Sequence, residues 1–188
     1  MTARLAGMFA LFVLPLMAMP SWPQSAPTGE PDGYRMEDYR APTPASLKGA
    51  QVVSTREAEA LWKAKTAAFI DVLPRPPRPA ALPAGTIWHD AQRLDIPGSI
   101  WLPNTGFGAL APVTEAYLRR GLERASAGSD DKLLVIYCQR DCWMSWNAAK
   151  RAVLWGYTAV VWYPEGTDGW QDAGLPLEEA KPAPHSGE

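Results

Sequence analysis

LLVIYCQRDCWMSWNAAKRAVLWGY, residues 133–157, carries the decisive pattern of this chain. Leu133 to Tyr137 is an unbroken apolar run of strand length, which suits a strand covered on both faces. It runs straight into Cys138. After the segment Gln139 to Met144, the stretch from Ser145 to Tyr157 has helical character, with Ser145 available to cap it and Gly156 to end it. AVVWYP at 159–164 reads as another buried strand. Strand, loop, helix and strand in this order form a βαβ crossover, and ligands of such sheets gather at the C-terminal ends of the strands. Cys138 lies at one of those ends.

The flanking sequence extends the alternation. TEAYLRRGLERASA at 114–127 places Tyr117, Leu118 and Leu122 at helical spacing, with Thr114 as a cap candidate and Gly128 just past the end. DIPGSIWLPN at 95–104 turns at Pro97-Gly98 and gives a short strand around Ile100 to Leu102. AAFIDVL at 67–73 is a buried strand with Asp71 near its end, closed by Pro74. The prolines of 74–85 exclude helix and central strand, so this stretch, with His89 shortly beyond it, is a long surface loop. Val52 and Val53 form a short strand before a helix, for which Thr55 is the cap candidate and Glu57 and Glu59 suit the first turn. GTDGWQDAGLPL at 166–177 reads as a turn-rich exit. The expected fold is α/β, a single domain with a mainly parallel central sheet and helices on both faces.

At the N-terminus, Arg4 precedes a charge-free apolar run from Leu5 to Met19, the layout of a secretory signal. The run is shorter than the roughly 20 residues of a membrane-spanning helix, so no stable membrane insertion is expected after its removal. Residues 1–26 are assigned to the signal, with cleavage between 18 and 26, and the chain is expected to be periplasmic. Residues 27–46, rich in Pro and Gly, form an extended arm that is partly docked at most, with Tyr34, Met36 and Tyr39 as anchors. A formal net charge of −2 without any dense block of Lys and Arg argues against nucleic acid or anionic membrane as partners.

The two cysteines, Cys138 and Cys142, lie four residues apart and are expected to close on each other in an oxidising compartment. No metal is assigned, because neither His89 nor His185 has ligand-like spacing to them. A thiol at a helix N-terminus is favoured as thiolate by the dipole and by unpaired amides. Arg140 would add to this if it folded back, and Asp141 would oppose it. A disulfide that only braces the loop remains the alternative.

Asp71-Val72, Ile96-Pro97-Gly98-Ser99, VIYC at 135–138, the helix from Ser145 and GTDGWQDAGLPL together resemble the rhodanese superfamily over roughly Gln51 to Leu177. Within it the chain is similar to a bacterial subgroup associated with pyrroloquinoline quinone (PQQ)-dependent alcohol catabolism, named for a Cys-x-x-Cys-Trp motif. Here the motif is Cys138-Gln139-Arg140-Asp141-Cys142-Trp143, with three residues between the cysteines instead of two. The resemblance implies a rhodanese-like domain over 47–178, followed by a polar tail at 179–188. It also implies a nucleophilic Cys138 in a loop that ordinarily reads Cys-x-x-Gly-x-Arg-Ser and holds a thiosulfate-like anion. Counted back from Ser145, Met144 stands at the Arg position and Cys142 at the Gly position. Asp71-Val72-Leu73 lacks the family's following Arg.

The leading expectation is therefore thiol-disulfide or persulfide chemistry, with Cys138 attacking and Cys142 resolving, in a loop formed by Gln139, Arg140, Asp141, Trp143, Met144 and Ser145. Asp71 and Trp146 are supporting candidates. The alternative is a non-catalytic module that docks a periplasmic quinoprotein dehydrogenase, a c-type cytochrome or the quinone itself. In that reading Trp143 could stack PQQ, within a cluster that includes Trp146, Trp155, Trp162, Tyr163 and Trp170. The plainer reading is that Trp146 and Trp155 pack their helix on the sheet.

Overall fold

A computed structural model describes residues 29–76, 78–83, 85–87 and 91–185 of the chain. The signal assignment at 1–26 and His89 fall outside the described residues. Five parallel strands form the central sheet: β1 (Gln51–Val52), β2 (Ala67–Asp71), β4 (Ile100–Trp101), β5 (Leu133–Tyr137) and β6 (Val160–Tyr163), in the order β1-β6-β5-β2-β4. The alternation of side chains along the strands divides the core in two. Ile70, Leu134, Ile136, Val160 and Trp162 point to one face, against α2 (Pro112–Ser126) and α3 (Trp143–Leu154). Phe69, Val135, Tyr137, Val161 and Tyr163 point to the other, where α1 (Thr55–Ala64) adds Ala58 and α4 (Gly166–Asp172) adds Trp170. The expected α/β architecture with both faces covered is observed.

Several local expectations change. Helix α1 is capped by Ser54, not Thr55, through a capping box in which Glu57 accepts from the Ser54 amide at 2.8 Å. Helix α2 starts at Pro112 without a side-chain cap, leaving Thr114 inside it. Ala127 and Gly128 end it in the left-handed region, with the Gly128 amide donating to Glu123. Helix α3 starts at Trp143, so Cys142 is the N-cap residue and Ser145 is inside the first turn. The stretch expected as a turn-rich exit contains α4, whose Trp170 is fully buried.

The chain after Leu177 is also more ordered than a polar tail suggests. β3 (Arg93–Asp95) pairs antiparallel with β7 (Glu178–Ala180), a ribbon that ties the chain after the last helix back to the middle of the domain. Beyond it, the Ala183 amide donates to Trp101 and its carbonyl accepts from the Tyr117 hydroxyl, while His185 stacks on the Tyr117 ring.

The arm is docked on α3 at points spread from Pro31 to Ser46. Asn147 both accepts from the Arg35 amide and donates to its carbonyl, at 2.9 Å each. Trp143 and Trp146 donate their indole N–H groups to the carbonyls of Pro42 and Ser46. Tyr39 accepts from the Gly108 amide and packs edge-on against Phe107, and Tyr34 lies under the Arg151 guanidinium. Of the three expected anchors only Met36 stays largely exposed. The tryptophans on this side of α3 satisfy their N–H groups with arm carbonyls, which fixes an otherwise structureless segment without any ladder of its own.

Candidate functional site

The site lies where the sheet order diverges. β2 and β5 are neighbours, yet the chain leaves β2 towards β4 on one side and leaves β5 towards β6 on the other. The crevice beyond their C-terminal ends is the switch point at which open α/β sheets bind ligands. Asp71 and Tyr137 stand opposite each other there, and Cys138 follows directly.

Cys138 and Cys142 are disulfide-bonded, with Cα atoms 6.2 Å apart, and both residues are buried. The loop between them is tied on three sides. The Cys138 carbonyl accepts from the Thr167 amide at 3.1 Å, Gln139 pairs with Gly166, and Cys142 pairs antiparallel with Arg40 of the arm. Asp141 is exposed and turns the loop through the left-handed region at φ 54°. Since Cys142 and not Cys138 is the N-cap residue of α3, the stabilisation of thiolate by the helix dipole falls on Cys142.

The other expected loop residues are distributed differently from the sequence expectation. Arg140 does not fold back towards the sulfurs; its guanidinium pairs with Glu165 at 2.7 Å and Asp172 at 2.8 Å, which raises its pKa. Met144 is buried in the core beside Gly106, so no side chain at this position reaches an anion in the loop. Ser145 donates to the Cys142 carbonyl at 2.9 Å and accepts from the Trp162 indole at 3.0 Å, linking the loop to β6. Trp143 is 1% exposed, its ring meeting Trp146 edge-on and the Arg35 guanidinium. A planar quinone therefore has no free Trp143 face to stack on. Trp146 is buried in the core cluster that α3 shares with the sheet, and its indole N–H donates to the Ser46 carbonyl of the arm. Trp155 lies at the far end of α3, under the Arg119 guanidinium.

Arg93 was not anticipated. It reaches from β3 to Asp71, 2.7 Å from Nε to Oδ2, and lies 3.7 Å from Asp95 and 3.4 Å from the Thr167 hydroxyl, the same hydroxyl that approaches the Cys138 carbonyl. Asp71 is thus buried and charge-paired, not solvated. It also accepts from the Leu73 amide. Asp95 accepts from the Tyr137 hydroxyl at 2.5 Å, while its second oxygen has no hydrogen-bond partner. Tyr137 in turn reaches Ser99 at 2.6 Å. Asp71 takes its guanidinium partner from a residue 22 positions along the chain, not from its own segment.

Two buried carboxylates share one guanidinium, and both are held above their usual range. Burial, then the charge of Asp95, pushes the Asp71 carboxyl from 3.8 up to about 7 against the pull of Arg93; burial raises Asp95 as well. The sign for stability follows from linkage. The folded chain holds a proton that the unfolded chain has already released between about pH 4 and 7, so stability is highest at the acid end of that window and falls as pH rises through it. Asp71→Asn is expected to flatten this slope, read from urea midpoints across the same range. A wild-type midpoint that rises with pH there would contradict the assignment.

Beside the loop lies a cavity of about 330 Å³, lined by Leu73, Pro74, Arg93, Trp101 and Gln139 among others. A larger one, about 550 Å³, lies against Trp62, Ala67 and Phe69, at the end of β2 remote from the cysteines. The smaller cavity is the one adjoining the cysteine loop, through Gln139. Its walls are largely apolar and its guanidinium is already neutralised, so it offers poor compensation to a small dianion.

The chain is thus an α/β domain that carries a disulfide-bonded cysteine loop at the switch point of its parallel sheet. Residues 48–173 match the family described as Rhodanese-like domain, and the chain belongs to that family. No match to the chain is found among curated proteins. Among solved structures it is similar to the polysulfide-sulfur transferase homodimer from Wolinella succinogenes, with 17% identity, 74% of this chain and 84% of that chain covered, and a TM-score of 0.44. It is also similar to a thiosulfate sulfurtransferase from Pseudomonas aeruginosa, with 18% identity over 71% of this chain, 21% of that chain and a TM-score of 0.48. A third similar structure is an uncharacterized protein from Saccharomyces cerevisiae, with 22% identity, 66% and 93% covered, and a TM-score of 0.39.

Proposed function

We propose that this rhodanese-like domain exchanges sulfur or electrons through the Cys138/Cys142 pair, as a periplasmic accessory protein of PQQ-dependent alcohol catabolism. The observation that carries the chemistry is the bond between the cysteine ending β5 and the cysteine capping α3. The cellular setting rests on the apolar N-terminal run and on the Cys-Trp motif. A partner thiolate attacks the Cys138 sulfur, and Cys142 leaves as the thiolate that the helix N-terminus stabilises. A second partner thiolate then breaks the mixed disulfide at Cys138. The sum is a partner disulfide and a reduced Cys138/Cys142 dithiol, with two electrons and two protons gained by the pair.

The persulfide variant uses the reduced pair. The Cys138 thiolate takes the outer sulfur of a donor persulfide and releases the donor thiolate. Cys142 then attacks the inner sulfur of the Cys138 persulfide, expels hydrosulfide and restores the disulfide. Ordinary transfer from thiosulfate is disfavoured, because Arg140 and Arg93 are both committed to carboxylates.

Burial of both cysteines supports a second reading, in which the disulfide braces the loop and the domain serves as a docking module for a quinoprotein dehydrogenase or its cytochrome. Separate Cys138→Ser and Cys142→Ser variants decide between them. Exchange predicts that Cys142→Ser accumulates a mixed disulfide or persulfide at Cys138 while Cys138→Ser does not. Bracing predicts no adduct in either, and a loss of about 2–4 kcal/mol of stability in both, as for removal of a native disulfide.

A further inference from the structure

We propose that Arg40, on the arm and outside the family domain's own loop, is the cation that stabilises the reduced form of the Cys138/Cys142 pair. This inference rests on the proposed redox role of that pair. Arg40 is held over the loop at two points. Its backbone pairs antiparallel with Cys142, and its guanidinium donates to the Gln139 side-chain oxygen at 3.1 Å. It therefore spans the loop from the residue after Cys138 to Cys142 itself. Its position is not incidental, because the next arm residues are fixed as well: the Tyr39 carbonyl accepts from the Trp143 amide at 2.9 Å and the Pro42 carbonyl accepts from the Trp143 indole.

The charges around the sulfurs single it out. On the loop itself, Arg140 is neutralised by Glu165 and Asp172, Asp141 is exposed, and the Arg140 amide donates to Asp168 of α4. From the β3 side, Arg93 is neutralised by Asp71 and Asp95. On the arm, Arg35 pairs with Asp38. Among the described residues, Arg40 makes no ion pair with a carboxylate, and it faces a loop otherwise surrounded by acidic groups. The docked arm also takes the Trp143 amide, one of the helix-terminal donors that would otherwise favour a thiolate at Cys142. Arg40 supplies positive charge where that donor has been used and where the family's own loop Arg is replaced by Met144.

Once the disulfide is reduced, loss of a proton from either cysteine places a thiolate here, so a neighbouring cation lowers the thiol pKa, favours the reduced form and makes the pair more oxidising. Because both sulfurs are buried, rates report opening of the loop as well as charge, and equilibrium quantities are the right readout. The full chain with Arg40→Ala, Arg40→Lys or no substitution is titrated with glutathione redox buffers, and the midpoint of the pH dependence of alkylation is measured on the reduced protein. Arg40→Ala is expected to raise the reductant needed for half-reduction by about three- to tenfold, tenfold corresponding to about 30 mV for a two-electron couple. It should also raise the alkylation midpoint, with both shifts shrinking at high salt. Arg40→Lys is expected to retain most of the wild-type values.

An Arg40→Ala protein with unchanged equilibrium and midpoint would overturn the role, as would an Arg40→Lys protein that behaves like Arg40→Ala. These measurements use glutathione and an alkylating agent alone. Failure of the wider functional reading shows instead as absent adducts in the cysteine variants, with the Arg40 shifts intact.

Discussion

Replacing Arg93 by alanine is expected to destabilise the protein by about 3–5 kcal/mol, the usual cost of removing one partner from a buried ion pair. The reason is what remains. Asp71 and Asp95 would be left in the core with no counter-ion, and Asp95 already has one oxygen without a partner. The loss should be larger above pH 7 than near pH 5, because protonation relieves the two carboxylates and costs less at lower pH. Urea unfolding of Arg93→Ala and wild type at the two pH values gives the comparison. A loss under about 1 kcal/mol at both would mean that the guanidinium is solvated and that the pair is of the surface kind. The double variant Arg93→Met with Asp71→Asn should recover part of the stability, since it leaves one buried carboxylate, Asp95, without a counter-ion instead of two.

Gly166→Ala is expected to cost about 2–5 kcal/mol, adding an overpacking penalty to that of a left-handed backbone. Gly166 has φ of 52°, and a Cβ there would stand 2.4 Å from the Cys138 carbonyl oxygen and 2.8 Å from the Gln139 Cα. Both obstacles are backbone, so neither can rotate away. The loop must shift or α4 must withdraw, and either movement breaks the Thr167 amide bond to Cys138. Thermal unfolding measures the stability, and the glutathione equilibrium of the cysteine pair measures the loop. An alanine variant with wild-type values for both would show that α4 does not hold the loop.

The most legible part of the chain was the run from Leu133 to Tyr137, because a strand buried on both faces needs no alternation and so leaves an unbroken apolar stretch. Its neighbours in α1, β2, α2, α3 and β6 were visible for similar local reasons: helical spacing, strand-length apolar runs and glycine stops. The helix starts were less so. Ser54 and Thr55 compete for one cap, and only the Glu57 side chain turning back to the Ser54 amide decides between them. At α3 the cysteine loop closes tightly enough to bring the cap forward to Cys142, ahead of the Ser145 that the sequence offered.

The site was legible as chemistry and not as arrangement. Two cysteines, a missing Arg and an inserted residue could be read from 138–145, and the bonded pair is present. Arg93 was hidden because nothing within its own segment marks it; its partner is on another strand and its burial depends on the ribbon with β7. The arm and two of its anchors were legible, but its course was hidden for the same reason, since a proline-rich segment has no periodicity and takes its shape from the indoles and amides of α3.

By itself, then, the sequence determined the class of fold and the place of the thiols, because both follow from interactions between near neighbours: hydrophobic period, turn residues and the spacing of Cys138 from Cys142. Only the tertiary structure decided what surrounds the thiols. Arg140 turns to Glu165 and Asp172, Arg93 reaches Asp71, and Arg40 comes over the loop from the arm. Each of these charges is positioned by a partner distant in the chain, and electrostatic energy depends on distance through space, not on separation along the sequence.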